Sequence, residues 1–203
     1  MLNFFDKDPL VETSELSNID RMDAVSAAHI SDRGVESYEE HLGISIKDFI
    51  GKSVLDIGSG FGRFVREARE QGVKVTALEP NLIIKEKLRD YHPKEDSVAG
   101  LAQNLPFKDN SFDAITSIFA VPVYLETSAG EYDRTFREIV RTLKPGGTAY
   151  LWPIFEKLMT SKQFNLIREA LADQAEIELR ITRKDDERFK CIVVTKKKEI
   201  EGN

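Results

Sequence analysis

The sequence of 203 residues predicts a doubly wound α/β fold: a seven-stranded sheet, six strands parallel and one antiparallel, with helices on both faces. Three observations lead there. From Lys52 onward, short apolar or β-favouring runs alternate with segments of helical period, the pattern of βαβ units. A glycine-rich turn, "DIGSGFG", stands directly behind the first of those runs. The last two runs are joined by a polar turn with no room for a crossover helix, so that pair is antiparallel.

The elements follow in order. Residues 1–50 show no strand pattern. "IDRMDAVSAAHI", "VESYEEHL" and "SIKDFIG" read as short helices, the last stopped by Gly51, and the segment is expected to form an N-terminal helical lid on a domain of residues 51–203. "SVLDIG" is the first strand. "RFVREAREQG" is a helix with Phe64, Val65 and Ala68 on one side and Gly72 at its end. "VKVTALEP" is a strand closed by Pro80, and "NLIIKEKLRDY" a helix with Asn81 at its N-cap. A short strand follows near Ser97 to Ala99, then a buried one in "FDAITSIFAV". "SAGEYDRTFREIVRTLKPGG" puts Tyr132, Phe136, Ile139, Val140 and Leu143 on one helical face, and Pro145, Gly146 and Gly147 stop it. "TAYLWPI" is a strand and "EKLMTSKQFNLIREALAD" a helix. "AEIELRITRK" and "RFKCIVVTKK" are the closing strands, turning around Asp185 and Asp186. No internal repeat interrupts this series.

Composition narrows the function classes. A chain of this length buries about 70% of its unfolded surface and needs no metal or disulfide staple. Its net charge is −6, from 29 basic and 35 acidic side chains. That balance disfavours nucleic acid, whose phosphates call for a basic face; Lys196 to Lys198, the densest basic run, reads as a solvated strand end. The single cysteine, Cys191, allows no internal disulfide and suits a reducing compartment. The N-terminus lacks a signal-peptide pattern, and no apolar run approaches the ~18 residues of a membrane span, so a cytoplasmic location is expected. The three histidines are scattered and no H-x-x-x-H or C-x-x-C exists, so no metal site is expected.

The glycine turn carries the functional reading. In a doubly wound sheet, ligands bind at the carboxyl ends of the strands near the topological switch point. Gly58, Gly60 and Gly62 would let a nucleotide-like ligand approach the backbone. The dinucleotide fingerprint is G-x-G-x-x-G and the P-loop is G-x-x-x-x-G-K-[ST]. Here the spacing is D-x-G-x-G-x-G, with Asp56 two residues ahead of the first glycine. A carboxylate there gains nothing from a pyrophosphate, which points to a ligand free of phosphate and favours a cationic one. Glu79 closes the second strand, where an acidic side chain can accept both hydroxyls of a ribose.

At these residues a resemblance emerges. "VLDIGSGFGRF", "VTALEP", "AGLAQNLPFKDNSFDAI" and "LKPGGTAYL", in this order, resemble the class I S-adenosylmethionine-dependent methyltransferases, whose fold is Rossmann-like. "LPFKDNSFD" is especially similar to the small-molecule branch that includes the ubiquinone and menaquinone biosynthesis methyltransferases. The resemblance covers about residues 50–153. It implies S-adenosylmethionine as cofactor, S-adenosylhomocysteine as product, and a small-molecule methyl acceptor. It implies that Asp56, Gly58, Ser59 and Gly60 line the methionine part with Gly62 helping the turn, that Glu79 holds the ribose and Pro80 lies by the adenine, that Leu101, Ala102 and Gln103 flank the adenine, and that Ile118 and Phe119 stand near the transferred methyl. The chain departs from the pattern at Leu101, an acidic position in many relatives, and in "AVPVYLE", where relatives of the quinone branch carry histidines.

Methyl transfer from a sulfonium is a one-step displacement that depends mostly on alignment, and a base is needed only if the nucleophile arrives protonated. The sequence therefore identifies no catalytic residue. Tyr124, His29, Tyr38 and His41 are the candidates, and Phe61, Phe119, Tyr124 and Trp152 are candidates for cation–π contact with the sulfonium. His92 and Cys191 read as structural. Three other functions compete: a non-catalytic S-adenosylmethionine-binding or regulatory module, a methyltransferase acting on RNA or protein, and a nicotinamide-dependent oxidoreductase, which the glycine spacing disfavours. The absence of N-P-P-Y or D-P-P-Y after the fourth strand argues against amino methylation of a nucleic-acid base. The acceptor, the atom methylated and the oligomeric state are not legible in the sequence.

Overall fold

A computed structural model describes residues 33–80, 96–125, 129–154, 159–182 and 189–198. The seven strands are β1 (Ser53–Ile57), β2 (Lys74–Leu78), β3 (Ser97–Val98), β4 (Phe112–Ile118), β5 (Leu143–Ile154), β6 (Ala175–Arg180) and β7 (Lys190–Lys196). They form one sheet in the order β3-β2-β1-β4-β5-β7-β6. β1 pairs in parallel with both β2 and β4, β2 with β3, and β4 with β5; β7 runs antiparallel to both neighbours. This is the expected six-plus-one sheet. The direction reverses between β1–β2–β3 on one side and β4 on the other, so the switch point lies at the carboxyl end of β1.

Four α-helices stand among the described residues: α1 (Val35–Leu42), α2 (Arg63–Glu70), α3 (Ala129–Thr142) and α4 (Ser161–Ala170). Alternation along β1 sends Leu55 and Ile57 to one face, into a core with Ile115, Leu151, Phe136 and Ile139. Val54 faces the other way, among Phe64, Val65 and Ala68 of α2 and Val35, Tyr38 and Leu42 of α1. The helical face expected on α3 is buried through Tyr132, Phe136, Ile139 and Val140.

Several elements differ in detail from the sequence reading. α3 ends at Thr142, and Leu143, Pro145, Gly146 and Gly147, expected as the last residue of its face and its stop, lie in β5, where Leu143 pairs with Phe112. "SIKDFIG" makes only a 3₁₀ turn, Ile46–Phe49. β4 stops at Ile118 because Phe119 turns into the left-handed region, φ +55°. α4 starts at Ser161 because Thr160 caps it, its hydroxyl accepting from the Gln163 amide while the Gln163 side chain accepts from the Thr160 N–H. The helices expected in 19–30 and 81–91, the turn at 185–186, His29 and His92 lie outside the described residues.

The segment "LPFKDNSFD" has a visible structural task. Glu138 Oε2 accepts from the Leu105 N–H (2.8 Å), and Arg141 donates to the carbonyls of Leu105 (3.0 Å) and Phe107 (2.8 Å) and to Asp109 (2.7 Å). Two side chains of α3 thus pin the loop that runs from Leu101 to Gln103 on into β4.

Candidate functional site

Three loops converge at the carboxyl ends of β2, β1 and β4. The glycine turn after β1 is folded back on β2: the N–H groups of Gly58 (2.8 Å) and Ser59 (3.3 Å) donate to the Leu78 carbonyl, and the Gly60 N–H donates to Glu79 Oε2 (3.1 Å). Gly58, Gly60 and Gly62 have φ of +76°, +56° and +71°, values open to glycine and strained for other residues. At Gly58 the restriction is also steric. A Cβ there would sit 2.2 Å from the Cβ of Ala120, in the turn after β4. That turn is tied to β1 in return: the Ser117 hydroxyl donates to the Ile57 carbonyl (3.0 Å) and accepts from the Val121 N–H (2.9 Å).

Asp56 is fully buried on the α1 side of β1. The Tyr38 hydroxyl donates to both of its carboxylate oxygens at 3.0 Å, and the Thr116 hydroxyl donates to Oδ1 at 2.9 Å. Thr116 is the register partner of Asp56 on β4, and Tyr38 reaches it from α1 while its ring stacks on Phe64 at 3.7 Å. Burial pushes the Asp56 carboxyl up to about 7; the two hydroxyls pull against that, and the nearby charge of Glu79 adds to it. Burial also raises the Tyr38 hydroxyl well above its usual range, with the Asp56 charge adding to the effect. Glu79 is 5% exposed, a second carboxylate almost withdrawn from water on the other side of the same turn.

The remaining residues of interest spread across the same edge of the sheet. Pro80 follows Glu79 and is half-buried. Leu101 is 45% exposed and Ala102 is buried; Gln103, half-buried, donates to Glu131 at 3.4 Å. Ile118 is buried and Phe119 half-buried, the Phe119 N–H donating to the Trp152 carbonyl (2.7 Å). Trp152 is walled in by Phe119, His41 and Phe189. Phe61 is half-buried in the glycine turn, its carbonyl accepting from Arg66.

The catalytic candidates separate. Tyr38 is occupied by Asp56. His41 meets Trp152 in an edge-to-face arrangement, ring centroids 4.2 Å apart, and donates from Nδ1 to the Ser37 carbonyl (2.6 Å). Tyr124, 40% exposed, has an accessible ring, and burial raises its hydroxyl above the usual value. The sequence reading missed Thr116, Ser117, Ala120 and Arg33. For Thr116 and Ser117 a signal existed, two adjacent hydroxyls in a strand that is otherwise apolar after Asp113.

What could this cradle hold? Ser59 Oγ is buried with no hydrogen-bond partner among the described residues, an uncommon state for a buried hydroxyl. It belongs to a turn stripped of side chains and flanked by two buried carboxylates. The arrangement fits a nucleoside with hydroxyls to be accepted and a positive centre to be favoured. Among the described residues no group of three His, Cys, Asp or Glu could hold a metal ion.

Residues 55–151 match the family described as "Methyltransferase domain". A sterol 24-C-methyltransferase of Gibberella zeae is 39% identical over 137 residues, 64% of this chain and 33% of that protein. The demethylmenaquinone methyltransferase of Paenarthrobacter aurescens is 36% identical over 98 residues, 48% of this chain and 37% of that protein. This chain therefore aligns with about a third of the length of these relatives. Among solved structures, a TehB-like S-adenosylmethionine-dependent methyltransferase from Corynebacterium glutamicum shares the fold, with a TM-score of 0.61, 21% identity, and 88% of this chain and 96% of that chain covered.

Proposed function

We propose that this chain, whose residues 55–151 match the methyltransferase domain family, is a class I S-adenosylmethionine-dependent methyltransferase that transfers a methyl group to a small-molecule acceptor by direct displacement. S-Adenosylmethionine is the cofactor of this family, and it supplies an activated methyl on a good leaving group. The observation that carries the proposal is the bare glycine turn with the orphaned Ser59 hydroxyl, held between buried Asp56 and buried Glu79. In this reading Glu79 accepts from the ribose, Pro80, Leu101, Ala102 and Gln103 border the adenine, and Gly58, Ser59, Gly60 and Gly62 border the methionine part. Asp56 acts through the field of its carboxylate, since its oxygens are engaged by Tyr38 and Thr116. Ile118 and Phe119 bound the methyl end.

Alignment does most of the work in such a displacement, and the interlocked turns after β1 and β4 supply it. No base is assigned: Tyr124 is the accessible candidate, and its raised pKa makes it a poor one. The small-molecule class is supported by relatives that are named for quinone and sterol substrates and by the acidic charge balance. The division into an N-terminal segment of residues 1–50 and a unit of 51–203, and the cytoplasmic location, belong to the same proposal. Among the described residues no helix is long and apolar enough to cross a membrane.

The test supplies methyl-labelled S-adenosylmethionine with separate small-molecule, RNA and protein fractions of a cell extract. Label in the small-molecule fraction is expected. Label in RNA or protein would overturn the acceptor class. Tight cofactor binding with label in no fraction would favour a non-catalytic module.

A further inference from the structure

We infer that Arg33, laid on the ring of Phe119, reads a carboxylate on the methyl acceptor, an inference that rests on the methyltransferase reading above. The Arg33 guanidinium carbon stands 4.3 Å from the Phe119 ring centroid. Phe119 follows β4 and Glu79 follows β2, so the cation is stationed on the β4 side of the glycine turn. In a nucleoside laid from β2 across β1, that is the side of the transferred methyl and of whatever receives it.

The guanidinium is half-buried, and among the described residues no carboxylate pairs with it. The ionisable groups that act on it are the hydroxyls of Tyr38 and Tyr124, both held neutral by raised pKa values. Burial lowers the pKa of Arg33 itself. A partly desolvated cation that meets a ring face and neutral hydroxyls, with no carboxylate among the described residues, is poorly compensated. An incoming carboxylate, which matches the planar fork of arginine, would complete it.

The backbone beside Arg33 is held in place. Glu67 of α2 accepts from the Val35 N–H at 2.7 Å, and a Cβ on Gly34 would meet the same carboxylate at 2.2 Å. Glycine at 34 lets Glu67 close on the start of α1 and set where Arg33 leaves the backbone. On the other side Phe119 is held in its left-handed conformation, a strained state of the kind that gathers at ligand sites.

The test loads the protein with S-adenosylhomocysteine and titrates in benzoate, phenylacetate and hexanoate, each beside its neutral amide. Fluorescence of Trp152, the single tryptophan, is the readout, since its ring lies 4.9 Å from that of Phe119. At least one acid is expected to bind about tenfold tighter than its amide, with Arg33→Gln abolishing the preference, Arg33→Lys keeping part of it, and S-adenosylhomocysteine affinity staying within about twofold in both variants. Equal binding of acids and amides by the wild type, or an acid preference that survives Arg33→Gln, overturns the inference. So does an Arg33→Gln protein that loses about tenfold in S-adenosylhomocysteine affinity, which would give the guanidinium to the cofactor's own carboxylate. A wild-type protein that does not bind S-adenosylhomocysteine at all overturns the methyltransferase reading, and this inference with it.

Discussion

Tyr38→Phe removes one hydroxyl and leaves its ring stacked on Phe64, so it isolates what Asp56 gains from its partner. That hydroxyl donates to both carboxylate oxygens at 3.0 Å. A hydrogen bond to a charged group contributes about 1.5–3 kcal/mol net and a neutral one about 0.5–1.5 kcal/mol, so the cost depends on which form of Asp56 is present. The unfolded chain loses the Asp56 proton near 3.8 and the folded chain near 7. Stability from this group is complete at low pH and declines as pH rises between those values. At ~1.4 kcal/mol per pH unit, the full decline is on the order of 4 kcal/mol. Tyr38 stabilises the ionised carboxylate, so its loss raises the folded pKa further and deepens the decline. Urea unfolding of wild type and variant at pH 5.5 and pH 8.5 measures it. The expected cost is about 1 kcal/mol at the lower pH and about 2–3 kcal/mol at the higher. Equal costs at both pH values, or a larger cost at pH 5.5, would refute the reasoning.

Three further outcomes follow from the same geometry. Gly58→Ala is expected to destabilise the protein by about 3 kcal/mol in urea, roughly 1–2 kcal/mol for the left-handed backbone and the rest for the collision with Ala120; adding Ala120→Gly should recover part of it. Arg141→Ala is expected to cost about 2 kcal/mol and to speed hydrogen exchange in the 105–109 loop ahead of the rest of β4, because the carbonyls of Leu105 and Phe107 lose their donor. The thiol of Cys191, fully buried and pushed up to about 12 by that burial, should stay unmodified by a disulfide reagent at pH 8 until urea unfolds the chain.

The alternation of strands and helices was legible because a sheet covered on both faces leaves continuous apolar runs with glycine and proline between them. The closing hairpin was legible from the length of its connection. The position of β7 between β5 and β6 is a matter of sheet topology, yet a signal for it was present. "CIVV" in β7 is buried on both faces, whereas β6 alternates through Ala175 and Ile177 and then becomes exposed, as an edge strand does. The capping box at Thr160 and Gln163 was readable too, and it would have shortened α4. At the site, the glycines and Glu79 announce themselves by type and spacing. The partners of Asp56 do not. Tyr38 lies 18 residues before it and Thr116 60 residues after it, and only the packing of α1 and the β1–β4 register bring them together. Arg33 belongs to no local pattern, and its significance depends on Phe119 being turned beneath it.

The most direct measurement is a calorimetric titration of S-adenosylmethionine into the wild-type protein and into Glu79→Gln, whose amide oxygen can still accept from the Gly60 N–H. Binding in the micromolar range, weakened about tenfold or ~1.4 kcal/mol in the variant, is the predicted result. No binding by the wild type at millimolar cofactor would contradict the reading of this cradle as an S-adenosylmethionine site.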